Sequence, residues 1–211
     1  MSRRKREFRC KYFDVEEDYF KIHSKHYDFL GGINPKFASK AIPELMVLID
    51  KEPNFFDPYL DIYYYLKDYF DLPISSLILN SAYELATKLI VDRKGNWPDE
   101  MIFEAANNRH IIRVIIAKGE LEWEKGKIIE AMDIFRWYLH TNLRDGLGVR
   151  YRMLAIRMKM SFPGYVTFCK SDKSGDTVDD WFMNNYQNFP DEFKEWSKLY
   201  YKKQPAIGPR T

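Results

Sequence analysis

Six basic residues crowd the stretch 136–159, namely Arg136, Arg144, Arg150, Arg152, Arg157 and Lys159, against Asp145 alone. Immediately downstream, the stretch 172–196 carries seven acids (Asp172, Asp176, Asp179, Asp180, Asp191, Glu192, Glu195) against Lys173 and Lys194. Guanidinium groups stay charged at any physiological pH and grip carboxylates or phosphates through a rigid fork of donors. Two opposite blocks lying side by side have two uses. They can pair with each other as solvent-screened ion pairs, each worth about 0–1 kcal/mol. Alternatively, the basic block can face an acidic peptide, a C-terminal carboxylate or RNA phosphate. Arg150 and Arg157 stand two helical turns apart on one face, so they are the individual residues to watch.

Other reactive side chains are sparse. His23 and His26 are spaced to share a helix face, but no third metal ligand adjoins them. His110 and His140 are isolated. Cys10 and Cys169 are the two cysteines, too far apart for a CxxC motif and too few for a disulfide scaffold. Gly146-Leu147-Gly148 lacks the third glycine of a dinucleotide loop, and Gly126-Lys127 lacks the upstream glycine of a phosphate loop. No zinc-protease, nucleophile-elbow or cysteine–histidine signature is present. The expectation is a chain that is not an enzyme and carries no cofactor or metal.

The elements that must position these groups are helical. The chain has 211 residues, 45% hydrophobic and 30% charged, with 33 Lys plus Arg against 31 Asp plus Glu. A net charge of +2 argues against a chain built mainly to coat nucleic acid. Fifteen Phe, fifteen Tyr and five Trp must find places in a core or an interface. No apolar run is long enough to span a bilayer, and the Arg3–Arg6 lead precedes charged and aromatic residues, so the expected location is the cytoplasm without a membrane partner. Asp57-Pro58 reads as a helix N-cap and first residue, followed by Tyr59, Ile62, Leu66 and Tyr69 on one stripe. Leu79, Ala82, Ala86 and Leu89 form another, and Ile128, Ala131, Met132, Phe135, Tyr138 and Leu139 a third. Period-two alternation is weak. The fold class expected is all-α, with Phe8–Leu30 as one capping helix, a connector from Asp92 to Asn108 in which Trp97-Pro98 opens a short helix, and an aromatic helical cap from Val178 to Lys203 ahead of a loose tail, Gln204–Thr211.

Small residues recur with a period. Ala41 and Ser75 are 34 residues apart and head similar stripes; Ala131 follows after one further period plus an insertion. Gly119, Gly126, Glu130-Ala131 and Phe135 stand at the spacings of a helix A small residue, an inter-helix turn and helix B, and Pro53-Asn54 with Tyr59, Ile62 and Leu66 matches a repeat boundary. On these residues the chain resembles a tetratricopeptide-repeat protein, and Arg113–Tyr151 is similar to a prokaryotic group of tetratricopeptide-like proteins of unassigned role. Lys118, Glu122 and Arg152 stand where the repeat carries large apolar residues, and Tyr63 where it carries a small one. The resemblance implies a right-handed α-α superhelix of hairpins: an N-terminal basic arm and capping helix over 1–34, repeats over 35–162 with an insertion near 84–108, and a C-terminal cap and tail over 163–211. It also implies a concave groove whose partner-binding residues are Tyr64, Lys67, Arg113, Glu120, Trp123, Arg150 and Arg157. The expected function is protein–protein interaction, holding a peptide segment or acidic partner. RNA binding by the 136–159 block with the basic N-terminus is the alternative, and self-association through exposed aromatics is a further option.

Overall fold

The computed structural model describes residues 5–27, 32–70, 72–172 and 174–203; the expected tail and Arg3-Arg4 of the basic lead lie outside them. Among the described residues the chain is all-α, with ten α-helices and two isolated β-bridges. In order they are α1 (Glu16–His26), α2 (Ala38–Lys51), α3 (Asp57–Tyr69), α4 (Leu72–Ile90), α5 (Arg109–Glu124), α6 (Ile128–Thr141), α7 (Val149–Arg157), α8 (Phe162–Ser171), α9 (Asp176–Asn185) and α10 (Pro190–Lys203). They divide into two compact units, Met1–Lys118 and Gly119–Thr211, with the division inside α5.

Unit 1 packs α1 on α2, α2 on α3, and α3 on α4 as a hairpin. The apolar stripes read from the sequence point inward: Ala41, Leu45 and Leu48 of α2 join Phe13, Phe55 and Ile62 in one core, and Ser75, Leu79, Ala82 and Ala86 of α4 are buried. Small side chains at Ala41, Ser75, Ala82 and Ala86 let neighbouring backbones approach. Phe8–Leu30 is not a single helix. Helical structure in that stretch is α1, which carries Glu16, Glu17 and Asp18 in its first turn and His23, Lys25 and His26 in its last, complementing the helix dipole. Residues ahead of it run extended against the 92–108 connector. The Phe8 N–H donates to the Glu100 carbonyl at 2.9 Å, and the Asn108 side chain bonds both Cys10 N–H and the Phe8 carbonyl. The Arg6 guanidinium donates to the carbonyls of Ile90, the last residue of α4, and Asn96. Residues 5–11 of the expected basic arm are therefore part of a packed unit. In the connector, Trp97-Pro98 opens no helix; a short 3-10 turn forms at Ala106–Asn108 instead.

Unit 2 packs α6 on α7 and α7 on α9. The expected aromatic cap is helical and divides into α9 and α10 at Phe189-Pro190, where proline opens α10. Ser161 caps α8 by accepting from the Gly164 N–H at 3.2 Å, with Pro163 in the first turn. Phe182 sits at the centre, stacked on Tyr186 at 5.3 Å and edge-on to Phe193, Trp196 and Tyr151. At Gly119 α5 approaches α6 closely: a Cβ there would lie 2.5 Å from the buried Phe135 ring. Gly119→Ala is expected to destabilise by about 1–3 kcal/mol, because a packed ring must leave its rotamer. Denaturant unfolding measures this, and an unchanged midpoint would show that Phe135 can yield.

Candidate functional site

The expected partner-binding residues fall into three groups. Arg150 and Arg157, with Glu120 and Trp123, lie in unit 2 and are engaged there. Asp145 takes a left-handed backbone conformation, φ 50°, and its fully buried carboxylate accepts from Val149 N–H at 2.7 Å and Arg150 N–H at 3.0 Å, capping α7. The same carboxylate holds the Arg150 guanidinium at 3.0 Å, and Asp179 lies 3.8 Å away on the other side. The Arg150 side chain also donates to the Tyr151 hydroxyl, which in turn donates to Asp179. Its cation rests over the Tyr151, Phe182 and Trp196 rings at 4.1, 5.5 and 5.4 Å. Arg157 pairs with Asp191 and Glu192 and covers Phe189; Arg136 donates two bonds to Glu192, at 2.9 and 2.6 Å. The basic and acidic blocks thus meet each other within unit 2. Their mutual hydrogen bonds hold Asp191 and Glu192 below the ordinary carboxylate range.

Glu120 accepts from Arg152 at 2.6 Å, and Arg152 also donates to the Leu147 carbonyl. Glu122, at another expected apolar position, is buried with Lys127 3.5 Å away. Of the three charged departures from the repeat pattern, Glu122 and Arg152 stand in ion pairs and Lys118 donates to the Asn80 side chain at 2.7 Å. Trp123 is buried, with Phe162 and Tyr165 rings 5.4 and 5.3 Å away. One side of it borders a cavity of about 460 Å³ lined by Glu124, Gly126 and Ile128 around the α5–α6 turn and by Ile156, Lys159, Met160, Ser161, Phe162 and Pro163 around the α7–α8 turn. Among these, Ile128 and Lys159 are exposed.

Arg113 lies in unit 1, where it donates to the Asp57 carboxylate at 2.8 Å. Asp57 is the first residue of α3 rather than a side-chain cap. One turn on, Asp61 receives hydroxyl hydrogen bonds from Tyr19, at 2.8 Å, and Tyr27, both at Oδ2. Burial pushes both carboxyls up to about 6, opposed by Arg113 at each and by the two hydroxyls at Asp61. Nearby His110 is driven down to about 3 by burial; its ring accepts from Phe56 N–H. The sequence pattern misses this cluster, although two acids four apart on α3 are visible in it. Tyr64 is exposed on α3, and Lys67 lies 5.9 Å over the Tyr63 ring. Among the described residues no group of three or more His, Cys, Asp or Glu is arranged to hold a metal, and no helix is long and apolar enough to cross a membrane.

No protein-family model, curated protein or solved structure matches this chain.

Two outcomes are expected. Arg150→Ala strands the buried Asp145 charge and should cost about 3–5 kcal/mol of stability, seen as a lower denaturant midpoint; an unchanged midpoint would show that the two backbone N–H groups suffice. For Asp61 the folded pKa lies above the ordinary 3.8, so the folded protein gains stability as pH falls from about 6 toward 3.8. Asp61→Asn keeps an acceptor at the shared oxygen position without the charge. It should be more stable than wild type well above pH 6 and approach it near pH 4; a pH-independent difference would rule out this linkage.

Proposed function

We propose that this chain is a non-catalytic binding module of tetratricopeptide-like helical hairpins that holds an apolar segment of another protein. The observation that carries this reading is the unit 2 cavity, about 460 Å³ in volume, which is within the size range of ligand pockets. Its lining is mainly Trp123, Ile128, Ile156, Met160, Phe162 and Pro163. Trp123 forms part of its wall, and Lys159, exposed at φ 61°, and Glu124 place one cation and one carboxylate beside the apolar lining. Aromatic and large aliphatic pockets of this kind anchor interface hot spots.

The repeat reading draws support from Ala41, Ser75 and Ala131, all without solvent exposure, and from the Gly119–Phe135 approach at the repeat's small-residue position. The pairing of Arg136, Arg150 and Arg157 with acids moves the expected partner contact away from those arginines. With Arg152, which pairs with Glu120, four of the six basic residues on which the RNA-binding alternative relies are engaged with acids.

A random-peptide display selection tests the reading. Enriched peptides should carry a large apolar residue, and binding should change Trp123 emission. Ile128→Asp and Lys159→Glu change exposed residues of the cavity lining, so they should leave helicity and unfolding unchanged while weakening peptide affinity tenfold or more. Full affinity in the doubly substituted protein would refute the assignment.

A further inference from the structure

Two helix ends border the unit 2 cavity, and they close with the same backbone motif. At the end of α5 the Gly126 N–H donates to the Trp123 carbonyl at 2.9 Å, and the Lys127 N–H to the Glu122 carbonyl at 2.8 Å. At the end of α7 the Lys159 N–H donates to the Ile156 carbonyl at 2.8 Å, and the Met160 N–H to the Ala155 carbonyl at 2.9 Å. Each pair of bonds ends its helix through one left-handed residue, a place usually taken by glycine. That residue is Gly126, φ 76°, after α5 and Lys159, φ 61°, after α7. Glycine adopts this conformation freely, whereas a Cβ is crowded against the following carbonyl. The chain meets one geometric demand with glycine and the same demand, across the cavity lining, with a strained lysine.

The fold gives that lysine no work. Its side chain is exposed and has no ion pair or side-chain hydrogen bond among the described residues. Asp145, which is also left-handed at φ 50°, uses its carboxylate to cap α7 and to hold Arg150. Glu124, the other charged residue of the cavity lining, already has an interaction within the protein. The charge left for a bound segment is therefore the Lys159 ammonium. Backbone strain that persists without a structural return is a mark of function.

We propose that Lys159 determines specificity at this cavity by pairing with an Asp or Glu side chain next to the apolar group of the bound segment. The inference rests on the reading of the cavity as a peptide site, and it names the partner's chemistry: a large apolar residue flanked by an acid. One cation among mainly apolar neighbours suits a single carboxylate, whereas a nucleic-acid backbone takes several cations at once. An ammonium on a flexible stem can follow that carboxylate to either side of the apolar anchor.

Peptides enriched on the wild-type protein, remade with blocked ends and with Asp, Asn or Lys beside the apolar residue, test this by calorimetric titration. At low salt the Asp form should bind about threefold or more tighter than the Asn form, with the Lys form weakest. The gap should close near about 1 M salt, where charges are screened. Lys159→Glu should reverse the order of the Asp and Lys forms. Lys159→Gly should erase the order and raise the denaturant midpoint, because glycine relieves the turn. A lower midpoint, which would mean that the lysine serves the turn itself, or a ranking that survives the glycine substitution would overturn the proposal. Equal binding of the three forms would also overturn it while leaving the apolar site standing. A selection that enriches no apolar peptide removes the site and the acid preference together.

Discussion

Asp145 and Arg150 hold unit 2 in order, because neither charge can be left alone where it sits. The carboxylate is fully buried, which pushes its proton affinity up, and it remains tolerable through one guanidinium and two backbone N–H groups. Those same bonds fix where α7 begins. Arg150 then turns its other face to Tyr151, Phe182 and Trp196, coupling the start of one helix to the aromatic centre formed with α9 and α10. A single pair thereby sets helix start, charge balance and ring packing together. Lysine, a point charge without the planar fork, could not serve all three.

Unit 1 meets a similar constraint with different chemistry. Asp61 is nearly as buried as the rings around it, and tyrosine hydroxyls from α1 and the residue after it, Tyr27, satisfy it. A tyrosine brings both a large apolar body and a polar tip, which explains how a chain with so many aromatics can bury carboxylates without placing a lysine or arginine on each. Burial makes Tyr19 and Tyr27 harder to ionise, so they remain donors. Because burial outweighs those hydrogen bonds, unit 1 gains stability as Asp61 takes up its proton.

Helix type and facing were legible because they follow from period: Ala41, Leu45, Leu48, Ala82, Ala86, Ala131 and Phe135 all point where a 3.6-residue repeat sends them. Charge pairing was partly legible, since opposite blocks at 136–159 and 172–196 announce themselves by composition. Which arginine meets which acid was not, because Arg157 and Glu192 are brought together by three intervening helix turns in the chain path rather than by spacing. Helix ends were least legible. Phe8–Leu30 has aromatic and acidic content compatible with one helix, yet residues 6–10 gain more by hydrogen bonding to a distant connector. The cavity beside Trp123 was hidden for the same reason: its walls come from two turns, and turns leave no periodic trace.

The strand-like docking of residues 6–10 bears on how the chain is made. The bonds that tie this segment to the connector reach across more than 80 positions, as in Arg6 to Ile90, Cys10 to Asn108 and Phe8 to Asn108. A ribosome therefore makes α1, α2, α3 and nearly all of α4 before Ile90, the first of these partners, exists. Loop closure of that span grows only slowly in entropic cost, but it must wait for Asn108 to emerge. Completion of unit 1 is thus timed by synthesis of its far end, and the nascent segment spends that interval with its backbone amides open to water and to chaperones.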